Sequence, residues 1–352
     1  MNSLDLSPVK AWFQREKRSL PWREDSSPYA IWVSEVMLQQ TQVKVVIPYF
    51  QRWMEAFPTI SALAAASIDQ VIKQWEGLGY YARARNLHKG AKFVLENYQG
   101  VLPKTKEALL KIPGLGPYTV AAILNFAFHQ KSAAVDGNVL RVMTRLLGIE
   151  EDISKVSTVN AIRAQLESLL PDCEPWIVSE ALIELGAIVC KKLPKCELCP
   201  MHRSCKANLS DKQKTLPFNS RKTLATPLHR AALIISHEDH YLVQRGEKGR
   251  IMADLHYFPF IEMDFHEICI NEIHRRASSQ FSLDLTPIRK LPPFSHSFTR
   301  YQVTLTPCLF LAQEMPKIDG FKWSCDLKSL AFCSGHREIA KRLSAGMIPF
   351  PK

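Results

Sequence analysis

The chain has 352 residues, 46% of them hydrophobic, and a formal net charge of +11. A chain of this length and composition can bury two cores, which excludes a disordered tail and predicts two domains. The basic charge favours a polyanionic partner, and nucleic acid is the commonest soluble one.

The N-terminal residues are charged, with Asp5, Lys10 and Arg15 standing where a secretion signal would need an apolar run. No later apolar run is long enough to cross a bilayer. We therefore expect a cytoplasmic protein with no membrane partner, and we expect it to be a monomer.

Helices are predicted from residue 27 to about residue 203, because apolar residues recur there at spacings of three and four. Capping residues and prolines mark where the helices start and stop. We expect helices to begin at Ser27-Pro28, after Ser67 and at Pro117, and one helix to end at Gly100.

Two acidic residues occur in unlike settings. Glu35 lies in an apolar helical segment, where a lone carboxylate is costly unless it is paired or functional. Asp136 precedes a predicted helix, where aspartate is normally an N-cap. Structural roles fit each residue alone, but the pair also fits cleavage of a sugar bond, with one acid and one carboxylate facing an oxocarbenium ion.

Two glycine-containing segments could contact DNA. In WEGLGYYARARN, Leu78 and Tyr80 could wedge into a base stack, although core packing is the simpler interpretation of these residues alone. In KIPGLGPYTV, Gly114 and Gly116 precede a helix start that could bind a phosphate. A plain connection between helices fits the second segment equally well.

Four of the nine cysteines are clustered, namely Cys190, Cys196, Cys199 and Cys205, with the spacing C-x5-C-x2-C-x5-C. Packing does not explain four thiols in one short loop, so a metal site is predicted. An iron-sulfur cluster is favoured over zinc, because zinc sites more often have two C-x-x-C pairs.

The pattern changes after the cysteines. Residues 207–229 are polar and basic and predict a linker between a domain at 1–206 and one at 230–352. Beyond them, RAALIIS and YLVQR predict a hairpin, and FTRYQVTLTPCLFLA predicts a further strand pair. Two segments, FHEICINEIHRRASSQF and CSGHREIAKRLSAG, are predicted helices, so the second domain is of the α+β class.

In order, the motifs LPWRE, SEVMLQQTQV, GLGYYARARNLH, IPGLGPYTVAAI, VDGNV, ELGA and the cysteine loop resemble the MutY adenine DNA glycosylases. This family belongs to the helix-hairpin-helix superfamily, with endonuclease III. The resemblance covers nearly all of the first domain. It implies a mainly α glycosylase domain of two helical lobes, a [4Fe-4S] loop at 190–205 and a C-terminal Nudix-like domain.

The same resemblance implies removal of adenine mispaired with 8-oxoguanine or guanine in double-stranded DNA, after the adenosine has been flipped out. It assigns the general acid to Glu35 and the carboxylate that stabilises the sugar cation to Asp136, with Asn138 and Tyr118 beside them. The adenine-pocket positions are Arg18, Trp22 and Glu184, and those that open and hold the opposite base are Gln40, Thr41, Leu78 and Tyr80. The four cysteines would ligate the cluster, and protein partners are not implied.

Tyr118 separates this family from bifunctional relatives, which carry a lysine there that attacks the sugar and cuts the strand. Tyrosine cannot form an imine, so a monofunctional enzyme that leaves an abasic site is expected. The alternatives are a bifunctional pyrimidine glycosylase and lyase, which Tyr118 disfavours, and a non-catalytic iron-sulfur DNA-binding protein, which Glu35 and Asp136 disfavour.

This sequence departs from the family pattern in several places. The first cysteine gap is five residues instead of six, and the second domain lacks a Nudix box, so nucleotide hydrolysis is not expected there. The Phe-Ser-His motif for 8-oxoguanine aligns with Phe298, Thr299 and Arg300, and the literal FSH at 294–296 is interpreted as coincidence. The segment RIMADLHYFP replaces a Trp-Gly-Gly run.

Overall fold

The structure is a computed structural model that describes residues 4–221, 225–263, 269–298 and 300–348. Its contacts divide the chain into two units, Met1–Ala65 with Asn86–Lys222, and Ala66–Arg85 with Thr223–Lys352. Residues 66–85 therefore group with the second unit, whereas the sequence pattern placed all of residues 1–206 in one domain. Within the described ranges, no helix has the length and apolarity needed to cross a membrane.

Helices make up the first unit, as expected of a mainly α domain. They are α1 (Ser7–Glu16), α2 (Pro21–Glu24), α3 (Pro28–Leu38), α4 (Val43–Ala56), α5 (Ile60–Ala65), α7 (Ala82–Tyr98), α8 (Lys106–Leu109), α9 (Pro117–Ala122), α10 (Gly137–Leu147), α11 (Val156–Leu169), α12 (Pro175–Ile188) and α13 (Lys206–Leu209). A π-helical turn, Ile123–Ala127, continues α9. The first four residues of α7 fall in the second unit, together with α6 (Ile68–Trp75).

The predicted helix boundaries are confirmed, and most have a capping contact. The Ser27 hydroxyl accepts a hydrogen bond from the Ala30 N–H, and Ser67 forms a capping box with Gln70 at the start of α6. Helix α3 is buried all round from Tyr29 to Met37, because its sequence is apolar on every side. A carboxylate on α3 is therefore carried into the interior of the unit.

One large core of the first unit is formed by α1, α10 and α12, with residues such as Val9, Val142 and Leu182 fully buried. The segment expected to be a linker contributes to this core as well, because Leu216 is buried in it. Arg145 holds the same segment by donating to the Leu216 carbonyl at 2.9 Å. Residues 207–221 thus pack on the first unit, and the first strand of the second unit starts at Thr226.

The second unit contains a mixed eight-stranded sheet. Its strands are β1 (Thr226–His237), β2 (His240–Arg245), β3 (His256–Tyr257), β4 (Phe260–Met263), β5 (Leu285–Lys290), β6 (Phe294–Phe298), β7 (Tyr301–Ala312) and β8 (Phe321–Ser324). The order β3-β2-β1-β7-β5 forms the main path, with β4 paired to β1, β6 to β7 and β8 to β2. Strands β1 and β7 run parallel, and all other pairs are antiparallel.

Both faces of this sheet are covered, which explains the continuous apolar run in β1. Leu233 and Ile235 pack in a core with helix α14 (Ile270–Phe281). Ile234 points to the opposite face and packs in a core with helix α15 (Ser334–Ser344). This architecture confirms the α+β class.

The β1–β2 hairpin and both C-terminal helices are confirmed. The strand pair predicted in FTRYQVTLTPCLFLA is wrong in its bounds, since residues 301–312 form one strand and its antiparallel partner is 294–298. Alternation alone did not reveal the break, because β7 is a central strand that is buried on both faces over much of its length.

Candidate active site

One cavity of about 490 Å³ in the first unit collects most of the predicted active-site residues. They come from distant parts of the chain, carried by α2, α3, α9, α10, α12 and the loops before α2 and α4. The predicted residues that line it are Arg18, Trp22, Glu35, Gln40, Thr41, Tyr118, Asp136, Asn138 and Glu184. Its volume lies within the range of small-molecule sites, about 300–1,000 Å³.

Glu35 places a buried carboxyl group in this cavity. Its side chain is buried on α3, with 6% exposure, and it accepts a hydrogen bond of 2.5 Å from the Tyr118 hydroxyl. Burial raises the pKa of Glu35 from 4.5 to about 7, although the Tyr118 hydrogen bond opposes the rise. The negative charge of Asp136 contributes to the same increase. A carboxyl group with this pKa can hold a proton near neutral pH and release it during a reaction.

Asp136 caps a helix and also lines the cavity. It caps α10, since its Oδ1 accepts from the Val139 N–H at 2.7 Å. Its Oδ2 accepts from the Asn138 side chain at 2.8 Å, and the group lines the same cavity as Glu35. Burial raises the pKa of Asp136 while these hydrogen bonds lower it, with a net rise from 3.8.

Arg18 and Glu184 line the cavity but are paired with each other. The Arg18 guanidinium donates to both carboxylate oxygens of Glu184, at 2.6 and 3.0 Å. Burial alone would raise the pKa of Glu184, but the hydrogen bonds and charges of Arg18 and Arg23 lower it overall. The pair therefore shapes one wall, and Trp22 extends this wall by packing edge-to-face on Phe50 at 5.5 Å.

Two further residues of this cavity, Arg23 and Glu180, were not predicted from the sequence. Arg23 joins both acidic residues of α12, donating to Glu180 at 2.8 Å and to Glu184 at 3.0 Å. A signal was present in the sequence, since Glu180 and Glu184 are one helical turn apart in an otherwise apolar helix and share a face.

Arg141 of α10 was also missed, and it links the cavity to the cysteine loop. One end of its guanidinium donates to the Asn138 side chain at 2.9 Å. The Nε of Arg141 donates to the Cys190 carbonyl at 2.8 Å, and the Gly186 carbonyl accepts a third hydrogen bond at 2.8 Å. The orientation of Asn138, and through it of Asp136, is therefore tied to the backbone at Cys190.

All four clustered cysteines are free thiols that line one small cavity of about 20 Å³. Arg145 holds this loop, donating to the Cys190 sulfur at 3.3 Å and to the Lys191 carbonyl at 2.6 Å. Burial raises the pKa of Cys199 to about 11, with a smaller contribution from the neighbouring thiolates. In the described ranges, no three His, Cys, Asp or Glu side chains are grouped so as to hold a single metal ion.

The two glycines of KIPGLGPYTV differ in what they require. Gly114 has φ +85°, and a β carbon there would lie 2.6 Å from Asn86 Cβ, so only glycine fits. Gly116 caps α9 with φ −89°, and a β carbon there would meet nothing within 4 Å. Gly114 therefore needs a backbone conformation that favours glycine, whereas the backbone of Gly116 is ordinary and open to its surroundings.

Leu78 and Tyr80 lie in the second unit, on a turn that we call the Gly77–Tyr81 turn. Leu78 is buried, with 6% exposure, whereas Tyr80 is 48% exposed. Tyr80 has φ +49°, which is uncommon for a residue with a side chain. Arg83 lies over the Tyr80 ring at 5.5 Å and over the Trp75 ring at 5.2 Å.

Tyr80 and Phe298 line a second cavity, of about 530 Å³, within the second unit. Arg230, His296 and His336, which the sequence analysis did not select, line it too. The His296 ring fits only because residue 335 is glycine, since a β carbon there would lie 2.7 Å from the imidazole. His296 belongs to the FSH at 294–296 that was interpreted as coincidence, and it nevertheless faces this cavity.

Of the residues aligned with the 8-oxoguanine motif, Phe298 lines the second cavity, whereas Arg300 lines neither cavity. Arg300 follows strand β6, and its guanidinium donates to the Tyr301 hydroxyl at 3.1 Å. Thr299 lies outside the described residues. Phe298 contacts Tyr301 with ring centroids 5.4 Å apart.

Comparisons with known proteins agree with this arrangement. Residues 33–171 match the family described as HhH-GPD superfamily base excision DNA repair protein. The adenine DNA glycosylase of Buchnera aphidicola subsp. Baizongia pistaciae is 35% identical over 245 residues, covering 69% of this chain and 69% of that protein. The Rattus norvegicus adenine DNA glycosylase is 43% identical over 208 residues, covering 56% of this chain and 40% of that protein.

Among solved structures, a thermostable thymine-DNA glycosylase superposes with a TM-score of 0.53 at 28% identity, covering 58% of this chain and 95% of that one. The two proteins therefore share a fold over that part of this chain. This likeness agrees with the sequence relatives and with the cavity that Glu35, Tyr118 and Asp136 line. The chain belongs to the adenine DNA glycosylase family of HhH-GPD base excision repair proteins.

Proposed function

We propose that this protein hydrolyses the N-glycosidic bond of adenine mispaired with 8-oxoguanine or guanine in double-stranded DNA, leaving an abasic site. The observation that carries the proposal is the buried Glu35 carboxyl, hydrogen-bonded to Tyr118 at 2.5 Å in the cavity that Asp136 also lines. The net charge of +11 supports a DNA substrate. The protein would therefore act in the compartment that contains the DNA.

Glu35 is the proposed general acid. Its pKa of about 7 keeps a substantial fraction protonated at neutral pH, so it can donate a proton to N7 of a flipped adenine. Protonation makes the base a better leaving group. The surrounding apolar residues of α3 maintain this pKa by keeping water away from the carboxyl.

Asp136 is the proposed carboxylate that faces the sugar as positive charge develops there. Two hydrogen bonds, from the Val139 N–H and the Asn138 amide, hold its oxygens in place before the reaction begins. Such preorganisation is effective, because no group has to reorient as the charge forms. Asn138 acts as a positioning residue for Asp136.

Tyr118 is proposed to orient the Glu35 carboxyl and to border the flipped base. Its hydroxyl is committed to Glu35, and burial raises the pKa of Tyr118 well above 10. A phenol cannot form a Schiff base with the sugar, which supports base removal without strand cutting.

Leu78, Tyr80, Gln40 and Thr41 are proposed to open the duplex and hold the base opposite adenine, and Phe298, Thr299 and Arg300 to read 8-oxoguanine. The exposure of Tyr80, and the cavity that Tyr80 and Phe298 both line, support this assignment for these two residues. Gly114 and Gly116 are proposed to bind a backbone phosphate, since both are exposed at the start of α9.

We infer that Cys190, Cys196, Cys199 and Cys205 hold a [4Fe-4S] cluster. Four free thiols around one cavity, with only one C-x2-C pair among them, support an iron-sulfur cluster over zinc. When bound, the cluster would brace the loop at 190–205 and offset part of the thiolate charge. Arg141 and Arg145 then hold that loop against α10.

One assay tests the proposed function. The protein is incubated with a duplex carrying adenine opposite 8-oxoguanine, and strand breaks are measured with and without hot alkali. Breaks are expected only after alkali, because an abasic site is alkali-labile while the intact sugar-phosphate backbone is not. An undamaged A:T duplex of the same sequence is the control.

No breaks under either condition would refute the proposed activity, and breaks without alkali would indicate a lyase. Borohydride should trap no protein-DNA adduct, since Tyr118 has no amine. Efficient trapping would overturn the role given to Tyr118.

The metal assignment has its own measurement. Anaerobically purified protein should contain iron and acid-labile sulfide in equal amounts, and Cys199→Ser should lose both. Cys173→Ser is the matched control, because Cys173 is an exposed free thiol outside the clustered set. Stoichiometric zinc without sulfide would contradict the cluster.

A further inference from the structure

The segment Ala66–Arg85 is fastened to the second unit by polar contacts along its length. Near its start, Asp69 pairs with Arg245 at 2.6 Å. Near its end, Arg85 donates to the Ala253 carbonyl at 3.0 Å. The contacts between these two points centre on Glu76, the residue immediately before the Gly77–Tyr81 turn.

Glu76 uses its backbone and both carboxylate oxygens. Its Oε1 accepts a hydrogen bond from the N–H of the buried Phe332 at 2.8 Å. Its carbonyl accepts from Arg337 of α15 at 3.1 Å. Its Oε2 pairs with Lys73 at 2.8 Å, and Lys73 in turn donates to the Leu330 carbonyl at 2.8 Å.

The Glu76 side chain is only 13% exposed, so these contacts are shielded from water. A buried backbone N–H that loses its acceptor is costly, and this makes the Phe332 contact the strongest constraint on the position of Glu76. Neither Phe332 nor Arg337 lies in the turn. The C-terminal part of the chain therefore determines where the turn begins.

The turn itself is held together by its own hydrogen bonds. Its position therefore depends on Glu76, the residue that precedes it. The Trp75 indole donates to the Gly79 carbonyl at 3.0 Å, and the Tyr81 hydroxyl accepts from the Gly77 N–H at 2.9 Å. Tyr80 lines the cavity that Arg230, His296 and Phe298 also line.

We propose that Glu76 is a positioning residue for selectivity toward the base opposite adenine. It fixes the Gly77–Tyr81 turn against Phe332 and Arg337, and thereby holds Tyr80 in the cavity that Phe298 also lines. This inference rests on the proposed function, because it takes Tyr80 to read that base. The inference goes beyond the proposed function in one respect. The C-terminal α/β region would contribute to selectivity by holding Glu76, in addition to any direct contacts that it makes with DNA.

The test compares kcat/KM for A:8-oxoguanine and A:G duplexes in the wild type and in variants. Glu76→Ala should reduce the preference for 8-oxoguanine by about fivefold or more, a typical size for coupling between two sites. Glu76→Gln keeps an oxygen that can accept from the Phe332 N–H, so it should restore most of the preference. Arg337→Met should shift the ratio in the same direction as Glu76→Ala.

Lys341→Met is the matched control, because Lys341 is an exposed cation on the same helix and its loss changes the charge equally. It should leave the ratio at the wild-type value. Equal loss of activity on both duplexes in Glu76→Ala and Arg337→Met would overturn the proposal. If Glu76→Ala does not fold, Arg337→Met alone decides the outcome.

Failure of this inference is distinguishable from failure of the proposed function. A wild-type protein that excises adenine with a preference for 8-oxoguanine, together with variants of unchanged preference, refutes the role of Glu76 only. A wild-type protein without adenine excision refutes the function itself, and absence of any preference refutes the assignment of Tyr80 and, with it, the role of Glu76.

Discussion

Replacing Glu35 by Gln should lower the rate of adenine excision by about a hundredfold or more, because general acid catalysis typically contributes 10²–10⁴-fold. Glutamine keeps the size of the side chain and can still accept from the Tyr118 hydroxyl, but it has no carboxyl proton to give. The measurement is single-turnover excision from an A:8-oxoguanine duplex, with duplex affinity determined in parallel. Affinity should change little.

Glu167→Gln provides the control, since Glu167 is an exposed carboxylate on α11 and makes the same chemical change away from the cavity. It should excise adenine at the wild-type rate. An active Glu35→Gln protein would remove Glu35 from the role of general acid.

The pH dependence of the same rate gives a second readout. Because burial raises the pKa of Glu35 to about 7, the wild-type rate should fall as the pH rises through that value and the proton is lost. The residual rate of Glu35→Gln should show no such decrease. A wild-type rate that stays flat between pH 6 and about pH 9 would contradict the assignment.

The stability of the folded protein should depend on pH through the same carboxyl group. The folded protein holds the Glu35 proton more tightly than the unfolded chain, so the free energy of unfolding falls as the pH rises from 4.5 to about 7. The penalty above that window is on the order of 3 kcal/mol, at 1.36 kcal/mol per pKa unit. Glu35→Gln should therefore unfold at a higher temperature than the wild type at pH 8, as measured by thermal denaturation.

Replacing Asp136 by Asn should lower the excision rate by about 10²–10³-fold, the size expected when a preorganised charged group is removed from a reaction centre. Asparagine is as good an N-cap as aspartate, so α10 should remain capped through the Val139 N–H. The melting temperature should therefore stay near that of the wild type, and the loss should appear in the rate alone.

Asp172→Asn is the control for the change in net charge, because Asp172 is exposed and pairs only with Lys131 among the contacts of the described residues. It should retain full activity. Comparable losses in both variants would show that charge toward DNA, and not the position of Asp136, is responsible.

Local sequence signals predicted the helices of the first unit well. Serine and aspartate caps, as at Ser27 and Asp136, act over three residues, so they can be identified without knowledge of the tertiary fold. The requirement for glycine at residue 114 is different in kind. It depends on Asn86, which approaches from a separate helix, and Gly116 beside it has no such neighbour.

The second unit shows the same difference between what local patterns predict and what contacts in space decide. Alternation in β1 and β7 is hidden because helices cover both faces of the sheet, and the partner of β7 was therefore placed in the wrong residues. Residues 66–85 have ordinary helical periodicity, and only their contacts with residues 245–254 and 330–337 place them with the second unit.

By itself the sequence determined the family, the acid on an apolar helix, the second carboxylate at a cap and the four-cysteine loop. These features follow from residue type and short spacing. The tertiary structure alone decided that Arg23 and Glu180 join Glu35 in one cavity, that Arg141 connects Asn138 with the cysteine loop, and that Glu76 holds the Gly77–Tyr81 turn. Each of these depends on contacts between residues far apart in the chain, because burial, pairing and pKa are set by neighbours in space.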